Sequence, residues 1–359
     1  MYMRTASAAA LTLWLPTVCL AGEGYDDTVL TIGDVAPTVE IAHFLKGEPV
    51  TEFETGNVYV LEFWATWCGP CKASIPHISK LQAEFKDYDV TIIGVSDEKL
   101  QTVVKFLSKA DSEDVLWTDK IQYTLATDPD KTTHKAYMRP AGQQGIPTAF
   151  VIGKDSRIEW IGSPVELDEV LGQVVRDEWD RETFKVEFEE EVAPIRKAMK
   201  MMARIDAAAE RGDWDAAIGA AKTLAEDQAE YTGVEVRLFR KMLYKEPARA
   251  YGYGRELMEQ DWDKSQVLNG LAWITVDDQK VKSRDLRFAM TAAKRACELT
   301  DYEDAAVLDT LARVYYEKGD FQQAIKWQRD AVKQAGGSPM ADQLREVLIS
   351  YEKEAASRI

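Results

Sequence analysis

The stretch Trp67-Cys68-Gly69-Pro70-Cys71 joins two segments of different hydrophobic pattern. The apolar run before it, Val58–Trp64, is typical of a buried strand. After it, Ile75, Ile78 and Leu81 recur at helical spacing. The sequence therefore predicts that a strand gives way to a helix here. Cys68 would lie at or just before the first helical turn, with Cys71 three residues later on the same face.

This position favours redox chemistry of the two cysteines. The first N–H groups of a helix are unpaired and carry a partial positive charge, which favours a thiolate over a thiol. One sulfur can then act as a nucleophile, with a second sulfur within disulfide reach. Two other interpretations stay open. The pair could be half of a zinc site, although the chain has no second pair and His77 lies off the Cys-x-x-Cys-His spacing of haem attachment. It could also be an inert disulfide, which leaves the Gly-Pro spacer and the flanking tryptophans unexplained.

Three motifs follow one another along residues 30–175. They are Gly33-Asp34-Val35-Ala36-Pro37, the run Glu62–Cys71, and Gly145–Ile152 followed by Ile158–Gly162. The second resembles the active site of the thioredoxin superfamily, and more narrowly that of the exported TlpA/ResA-like thiol-disulfide oxidoreductases. The first resembles the entry motif that this family shares with peroxiredoxins, and the third resembles its cis-proline loop and last hairpin. The resemblance implies an α/β thioredoxin-like fold, a central mixed sheet with flanking helices.

The resemblance also implies catalytic roles. Cys68 would be the exposed, attacking thiolate, and Cys71 would resolve the mixed disulfide by attacking Cys68. Glu62 is the one acid in an otherwise apolar strand and matches the buried acid of thioredoxins, although many TlpA-like relatives carry a neutral residue there. A carboxyl in apolar surroundings has a raised pKa, which suits removal of the Cys71 proton. The alternative is an edge glutamate that faces solvent.

A substrate-binding surface is implied beside the cysteines. Pro147 is predicted to be cis, which would bring the backbone of Ile146 alongside the cysteines. A substrate chain could then pair with that backbone as an added strand. The other predicted members of this surface are Trp67, Gly69 and Pro70. Trp67 is expected at the rim, and Trp64 in the core.

Residues 1–21 predict a signal peptide. Arg4 supplies the positive region, Ala8–Leu20 is apolar, and Cys19-Leu20-Ala21 ends the segment before Gly22. The apolar stretch is shorter than the ~20 residues that span a membrane, so an uncleaved anchor is the weaker alternative. Export would place the mature protein in a periplasmic or other extracytoplasmic, oxidising compartment. Cys297 would then be a buried filler in a helix.

The second half of the chain is rich in helix-forming residues and repeats itself. Gly212-Asp213-Trp214-Asp215-Ala216-Ala217-Ile218 recurs 107 residues later as Gly319-Asp320-Phe321-Gln322-Gln323-Ala324-Ile325. Ala250 and Ala289 take the corresponding alanine position in between. The pattern resembles a tetratricopeptide repeat, whose period is about 34 residues. It predicts four helical hairpins over residues 196–336 and a capping helix opened by Ser338-Pro339. The alternative is an irregular helical bundle.

The predicted organisation has four parts: a signal peptide (1–21), a redox domain (22–176), a charged linker (177–195) and an all-α repeat domain (196–359). The predicted function is an exported disulfide reductase whose repeats dock a protein. One alternative is an interaction scaffold with a regulatory or vestigial redox module. Another is a thiol peroxidase, which is disfavoured because peroxidases need threonine three residues before the reactive cysteine, where this chain has Ala65.

Charge and histidine content limit the partners. The net charge of −17 argues against nucleic acid or an anionic membrane surface. No cofactor or metal is predicted, because nothing pairs His43 and His134 as ligands. The predicted partners are a substrate protein with a disulfide, a membrane thiol-electron donor inferred from the family, and an unidentified protein ligand of the repeats. The Gly-Pro spacer is that of thioredoxin, whose potential is about −270 mV, and it favours reduction.

Overall fold

The computed structural model describes residues 28–228 and 233–358. The predicted signal peptide lies outside the described residues. The chain divides into two compact units, Met1–Glu189 and Glu190–Ile359. Among the described residues, no helix combines the length and the apolar character that crossing a bilayer requires.

A six-stranded mixed sheet forms the centre of the first unit, in the order β1-β4-β3-β2-β5-β6. Strands β2, β3 and β4 run parallel to each other, whereas β1, β5 and β6 are antiparallel to their neighbours. Every residue of β2 is buried, which explains its uninterrupted apolar sequence. The strands are β1 His43–Lys46, β2 Val58–Trp64, β3 Val90–Ser96, β4 Thr124–Thr127, β5 Thr148–Ile152 and β6 Ile158–Gly162.

Helices pack around this sheet and confirm the predicted α/β class. They are α1 Gly69–Glu84, α2 Leu100–Leu107, α3 Trp117–Lys120, α4 Thr132–Tyr137 and α5 Leu167–Val175. The turn-rich segment from Gly33 to Gly56 suits an edge hairpin by its sequence, but that prediction is wrong. It holds the single strand β1, which pairs with the distant β4. The sequence did not indicate α3, because four residues are too few to show a helical period.

The two faces of β2 have different neighbours. Val58, Val60 and Trp64 belong to the apolar cluster that also contains Cys68 and Cys71 of the β2–α1 junction. Phe63, on the other face, lies edge-on to Phe150 at 5.7 Å between ring centroids. Because side chains alternate along a strand, Glu62 lies on the same face as Val60 and Trp64. The acid of this strand therefore faces the cluster that contains the cysteines.

From Arg181 onward, the described residues form helices and the turns between them, as predicted. These helices follow one another in pairs, with one further helix at the end. They are α6 Arg181–Arg211, α7 Trp214–Asp227, α8 Gly233–Lys245, α9 Pro247–Gln260, α10 Ser265–Asp277, α11 Leu286–Leu299, α12 Ala305–Glu317, α13 Phe321–Ala335 and α14 Met340–Ser357. The prediction of four hairpins would assign them to pairs α6–α7 to α12–α13, with α14 as the capping helix. Because α6 begins at Arg181, it includes most of the predicted linker 177–195, and the hairpin assignment stays a prediction.

The two copies of the Gly-Asp-aromatic motif adopt the same local structure. Gly212 and Gly319 have φ of 75° and 80°, the left-handed region that glycine enters without steric cost. The aspartate that follows each glycine caps the next helix: Asp213 accepts the N–H of Ala216, and Asp320 that of Gln323. The four alanines at the repeated position, Ala217, Ala250, Ala289 and Ala324, are all fully buried. The tetratricopeptide assignment itself stays a prediction.

The start of α6 contacts the sheet of the first unit. The indole N–H of Trp179 donates to the carbonyl oxygen of Glu159 in β6 at 3.0 Å. The Arg181 guanidinium pairs with the Glu159 carboxylate, Nε to Oε2 being 2.7 Å, and with Asp155 at 2.9 Å. Glu159 is only 7% exposed, so this arginine neutralises a buried acid. We therefore propose Glu189, rather than residue 176, as the end of the first domain.

Arg181→Ala is expected to destabilise the β5–β6 edge by roughly 2 kcal/mol, because it leaves the Glu159 carboxylate buried and unpaired. Hydrogen exchange of peptides from β5 and β6 in the full-length protein measures this change. Arg176→Ala is the matched control, since the Arg176–Glu178 pair is solvent-exposed and worth ~0.5 kcal/mol or less. Equal exchange rates in both variants would contradict a stabilising role of Arg181.

Candidate active site

The cysteine pair lies at the N-terminus of α1, where the sequence places it. Cys68 is the N-cap residue, and its Sγ accepts the backbone N–H of Cys71 at 3.1 Å. Cys68 and Cys71 form a disulfide with their Cα atoms 5.3 Å apart. Cys71 is fully buried, and Cys68 is almost as deeply buried, with 3% of its surface exposed. The prediction that Cys68 is an exposed thiol is therefore wrong for the disulfide form, in which its sulfur is covered.

The surface next to Cys68 consists of the residues predicted to bind substrate. Trp67 is 70% exposed, and Gly69 and Pro70 are exposed beside it, whereas Trp64 is buried in the core. The Ile146–Pro147 peptide is cis, as predicted. The carbonyl oxygen of Ile146 lies 3.8 Å from the Sγ of Cys68. The fold thus brings the cis-proline loop, distant in sequence, to the cysteine at the helix terminus.

Glu62 is buried within the sheet. It is 1% exposed and pairs with Gly94 of β3 and Ala149 of β5. Burial raises the pKa of its carboxyl to about 8. The alternative of an edge glutamate facing solvent is therefore excluded. A carboxyl with this pKa exchanges its proton near neutrality, which is the property that a buried general base requires.

Glu98 is a residue of this site that the sequence reasoning missed. Its carboxylate accepts the backbone N–H of Thr66 at 2.6 Å and the Thr66 hydroxyl at 2.8 Å, and thereby holds the loop that leads into Cys68. The signal was available, because Glu98 follows β3 as Thr66 follows β2, and the ends of parallel neighbouring strands meet at one edge.

The remaining predicted residues lie away from this chemistry. Cys297 is free and fully buried in α11, and burial raises its thiol pKa to about 12, as suits a filler. His77 pairs with Asp168 at 3.0 Å. His134 lies edge-on to Phe63, and burial lowers its pKa. In the described part of the chain, no group of three or more His, Cys, Asp and Glu side chains could hold a metal ion.

Comparisons with known proteins agree with this geometry. The AhpC/TSA family matches residues 32–161. Protein FixW of Rhizobium leguminosarum is 26% identical over 151 residues, which cover 42% of this chain and 68% of FixW. The thiol-disulfide oxidoreductase ResA of Oceanobacillus iheyensis is 29% identical over 140 residues, which cover 38% of this chain and 67% of ResA.

The first unit has a thioredoxin-like fold and is similar to the thiol-disulfide oxidoreductases of the ResA type. A second ResA, from Bacillus thuringiensis subsp. konkukian, is 25% identical over 160 residues, which cover 44% of this chain and 79% of that protein. The crystal structure of StoA from Bacillus subtilis overlaps 38% of this chain and 98% of StoA, at 24% identity and a TM-score of 0.30. All of these matches cover less than half of the chain. The family and relative matches therefore bear on the first unit and not on the helices that follow it.

Stability of this domain is expected to depend on pH through Glu62. The folded carboxyl has a pKa of about 8 against an ordinary value of 4.5, so the folded state binds more protons between these values. The contribution of Glu62 to stability is present at acid pH and is lost as pH rises. The free energy of unfolding should fall by about 3 kcal/mol between pH 5 and pH 8 from this group. Glu62→Gln removes this loss, so the variant should gain stability over wild type as pH rises.

Urea unfolding of the full-length protein, followed by pulse proteolysis and identification of the first-unit fragments, measures the effect. Glu54→Gln is the control, because Glu54 is exposed. A constant difference between Glu62→Gln and wild type from pH 5 to pH 9 would contradict a buried, neutral Glu62.

Proposed function

We propose that this protein is an exported reductase of protein disulfides, in which Cys68 attacks the substrate, Glu62 deprotonates Cys71, and the helical repeats dock the substrate protein. The observation that carries the proposal is the N–H of Cys71 directed at the Sγ of Cys68. In the reduced protein this N–H, together with the helix terminus, would stabilise Cys68 as a thiolate.

The first step begins with both cysteines reduced. The Cys68 thiolate attacks one sulfur of the substrate disulfide and forms a mixed disulfide, while the other substrate sulfur leaves as a thiolate. The Ile146 backbone and the exposed Trp67, Gly69 and Pro70 would hold the substrate chain beside Cys68. The cis-Pro147 loop supports this assignment, because it places a backbone carbonyl 3.8 Å from the reacting sulfur.

The second step releases the reduced substrate. Cys71 loses its proton to the Glu62 carboxylate and attacks the Sγ of Cys68, and the second substrate sulfur leaves as a thiolate. Two electrons have then passed from the cysteine pair to the substrate, and Cys68 and Cys71 form a disulfide. The burial of Glu62 on the face that packs toward the cysteines supports its role as the base.

Two parts of the proposal concern the cellular setting. The predicted signal peptide supports export, and an oxidising compartment then requires an electron donor that returns Cys68 and Cys71 to thiols. A membrane thiol relay is the class of donor that fits, since the family resemblance implies one. The Gly69-Pro70 spacer, which thioredoxin shares, supports the reducing direction.

Docking is proposed for the second unit. Four helical pairs that share a buried alanine, two of them with the same glycine turn and aspartate cap, support a tetratricopeptide-like array, a class of solenoid that presents extended binding surfaces. The alternative is a scaffold in which the repeats carry the function and the redox module regulates it. An intact cysteine pair next to a cis-proline and a buried acid favours the enzyme.

The reduced protein is expected to cleave the disulfides of insulin, and Cys68→Ser to abolish this activity because the attacking sulfur is lost. Cys297→Ser is the matched control and should keep full activity, since Cys297 is buried in a helix of the second unit. Turbidity of the insulin B chain measures the reaction. Full activity of Cys68→Ser, or a potential more oxidising than roughly −180 mV, would contradict the assignment as a reductase.

The redox and docking tasks are expected to be separable. A chain from residue 22 to Glu189 should reduce insulin at the same rate as the full-length protein does. It should reduce the native partner up to ~100-fold more slowly than the full-length protein, because it lacks the docking that raises the local concentration of the partner. A chain ending at residue 176 is the control for the boundary, since it lacks Trp179 and Arg181. Mixed disulfides trapped by Cys71→Ser identify the partner. A partner that binds residues 196–359 and is never trapped covalently would instead support the scaffold.

A further inference from the structure

A buried tyrosine and Glu62 converge on one glycine. Gly94 of β3 is paired with Glu62 of β2, and it lies under the ring of Tyr123, a residue just before β4. A Cβ atom at position 94 would lie 2.9 Å from Cε2 of Tyr123 and 3.3 Å from Oε2 of Glu62. Both side chains therefore reach the same small volume, which exists because residue 94 has no side chain.

Two polar atoms in this region are unsatisfied. Oε2 of Glu62 and the hydroxyl of Tyr123 are both buried, and neither has a hydrogen-bond partner among the described residues. Tyr123 is 4% exposed and Glu62 1%. Buried polar groups in proteins are nearly always paired, and an exception calls for an explanation. Two such exceptions beside one glycine point to a shared explanation.

A hydroxyl suits a carboxyl that changes its protonation state. It donates to the oxygen of a carboxylate and accepts from the O–H of a carboxylic acid, whereas an ammonium group can only donate. Burial, with the charge of Glu62 as the smaller cause, raises the pKa of Tyr123 well above 10. Tyr123 therefore stays protonated while Glu62 changes its charge.

Two groups near Glu62 have a buried and unpaired donor, the indole N–H of Trp64 and the hydroxyl of Tyr123. An indole N–H can only donate, so of these two only Tyr123 can bond the carboxyl in both protonation states. The neighbours in β3 and β5, Gly94 and Ala149, do not titrate. The β2–α1 junction contributes Cys68 and Cys71, the reacting groups themselves. Lys46 of β1 donates instead to the carbonyl oxygens of Thr118 and Ile121. The remaining elements supply apolar side chains to this cluster, namely Val103 and Phe106 of α2, Trp117 of α3, Trp160 of β6, and Leu167, Val170, Leu171 and Val174 of α5.

We propose that Tyr123 is the positioning residue of Glu62, whose carboxyl it hydrogen-bonds through one water in both protonation states of the redox cycle. The inference rests on the proposed role of Glu62 as the base for Cys71. When Cys71 gives its proton to Glu62, the Tyr123 hydroxyl changes from donor to acceptor. After the disulfide has formed, Glu62 releases the proton to solvent water, and the hydroxyl donates again.

Tyr123→Phe tests the proposal, because it removes one oxygen and keeps the ring. The bond to the charged carboxylate is the stronger of the two, so its loss should raise the pKa of Glu62. Release of the substrate thiol should then shift to higher pH by about one unit and slow about tenfold at neutral pH. Formation of the mixed disulfide should be unchanged, since that step uses only the Cys68 thiolate.

The experiment uses full-length reduced protein carrying Cys297→Ser, with dithionitrobenzoate as the disulfide. The first nitrothiobenzoate ion reports attack by Cys68, and the second reports attack by Cys71, each followed by stopped-flow absorbance from pH 5 to pH 9. Tyr59→Phe is the matched control. Tyr59 is also a buried tyrosine, lies on the opposite face of β2 from Glu62, and should leave both steps unchanged.

Glu62→Gln separates the two hypotheses. If it leaves the pH dependence of the second step as in wild type, the role of Glu62 as base fails and Tyr123 loses its proposed purpose. If Glu62→Gln abolishes that dependence while Tyr123→Phe keeps the wild-type midpoint or lowers it, the base stands and the present inference is overturned. A merely structural role of Tyr123 would lower the stability of Tyr123→Phe and leave the midpoint of the pH profile in place.

Discussion

The redox site depends on where α1 begins. Because the helix starts at Gly69, the N–H of Cys71 is an unpaired donor of the first turn and points at the Sγ of Cys68. The same start puts Cys71 inside the core while Cys68 borders the exposed Trp67. This arrangement supports the proposed roles, in which Cys68 reacts with the substrate and Cys71 reacts only with Cys68. The proposed order of the two steps thus depends on the position of a single helix terminus.

The second constraint is an acid in the middle of the sheet. β2 is buried on both faces, and Glu62 occupies it at a cost in stability that grows with pH. A neutral residue at this position would avoid the cost. The acid lies on the face of β2 toward the cysteines. The burial of this acid therefore lowers stability at the position where the proposed chemistry requires a proton acceptor.

Much of the first unit was predictable because its central strands are continuous apolar runs and its site is continuous in sequence. Val58–Trp64, the helix after Cys71 and the Thr148–Ile152 hairpin strand agree with the structure. The errors come from long-range contacts. The strand at His43–Lys46 pairs with Thr124–Thr127 instead of a neighbour in sequence, and the exposure of Cys68 depends on the packing of the disulfide form. In the second unit the repeated alanines were predictable, since close helix packing requires a small residue at each one.

The partners of the proposed catalytic residues were the part that sequence reasoning missed, although one glycine gave a signal. Gly94 interrupts an apolar strand, and glycine inside a strand marks a place where another group approaches closely. With Glu62 already recognised as a buried acid, Gly94 on the adjacent parallel strand indicates that the space beside this acid is kept open. The sequences of β2 and β3 do not predict which residue enters that space. Tyr123 comes from the irregular region before β4, which joins the sheet by a register that only the folded structure shows. A buried acid can thus be predicted from the sequence of its own strand. The residue proposed to position that acid depends on the tertiary pairing of the strands.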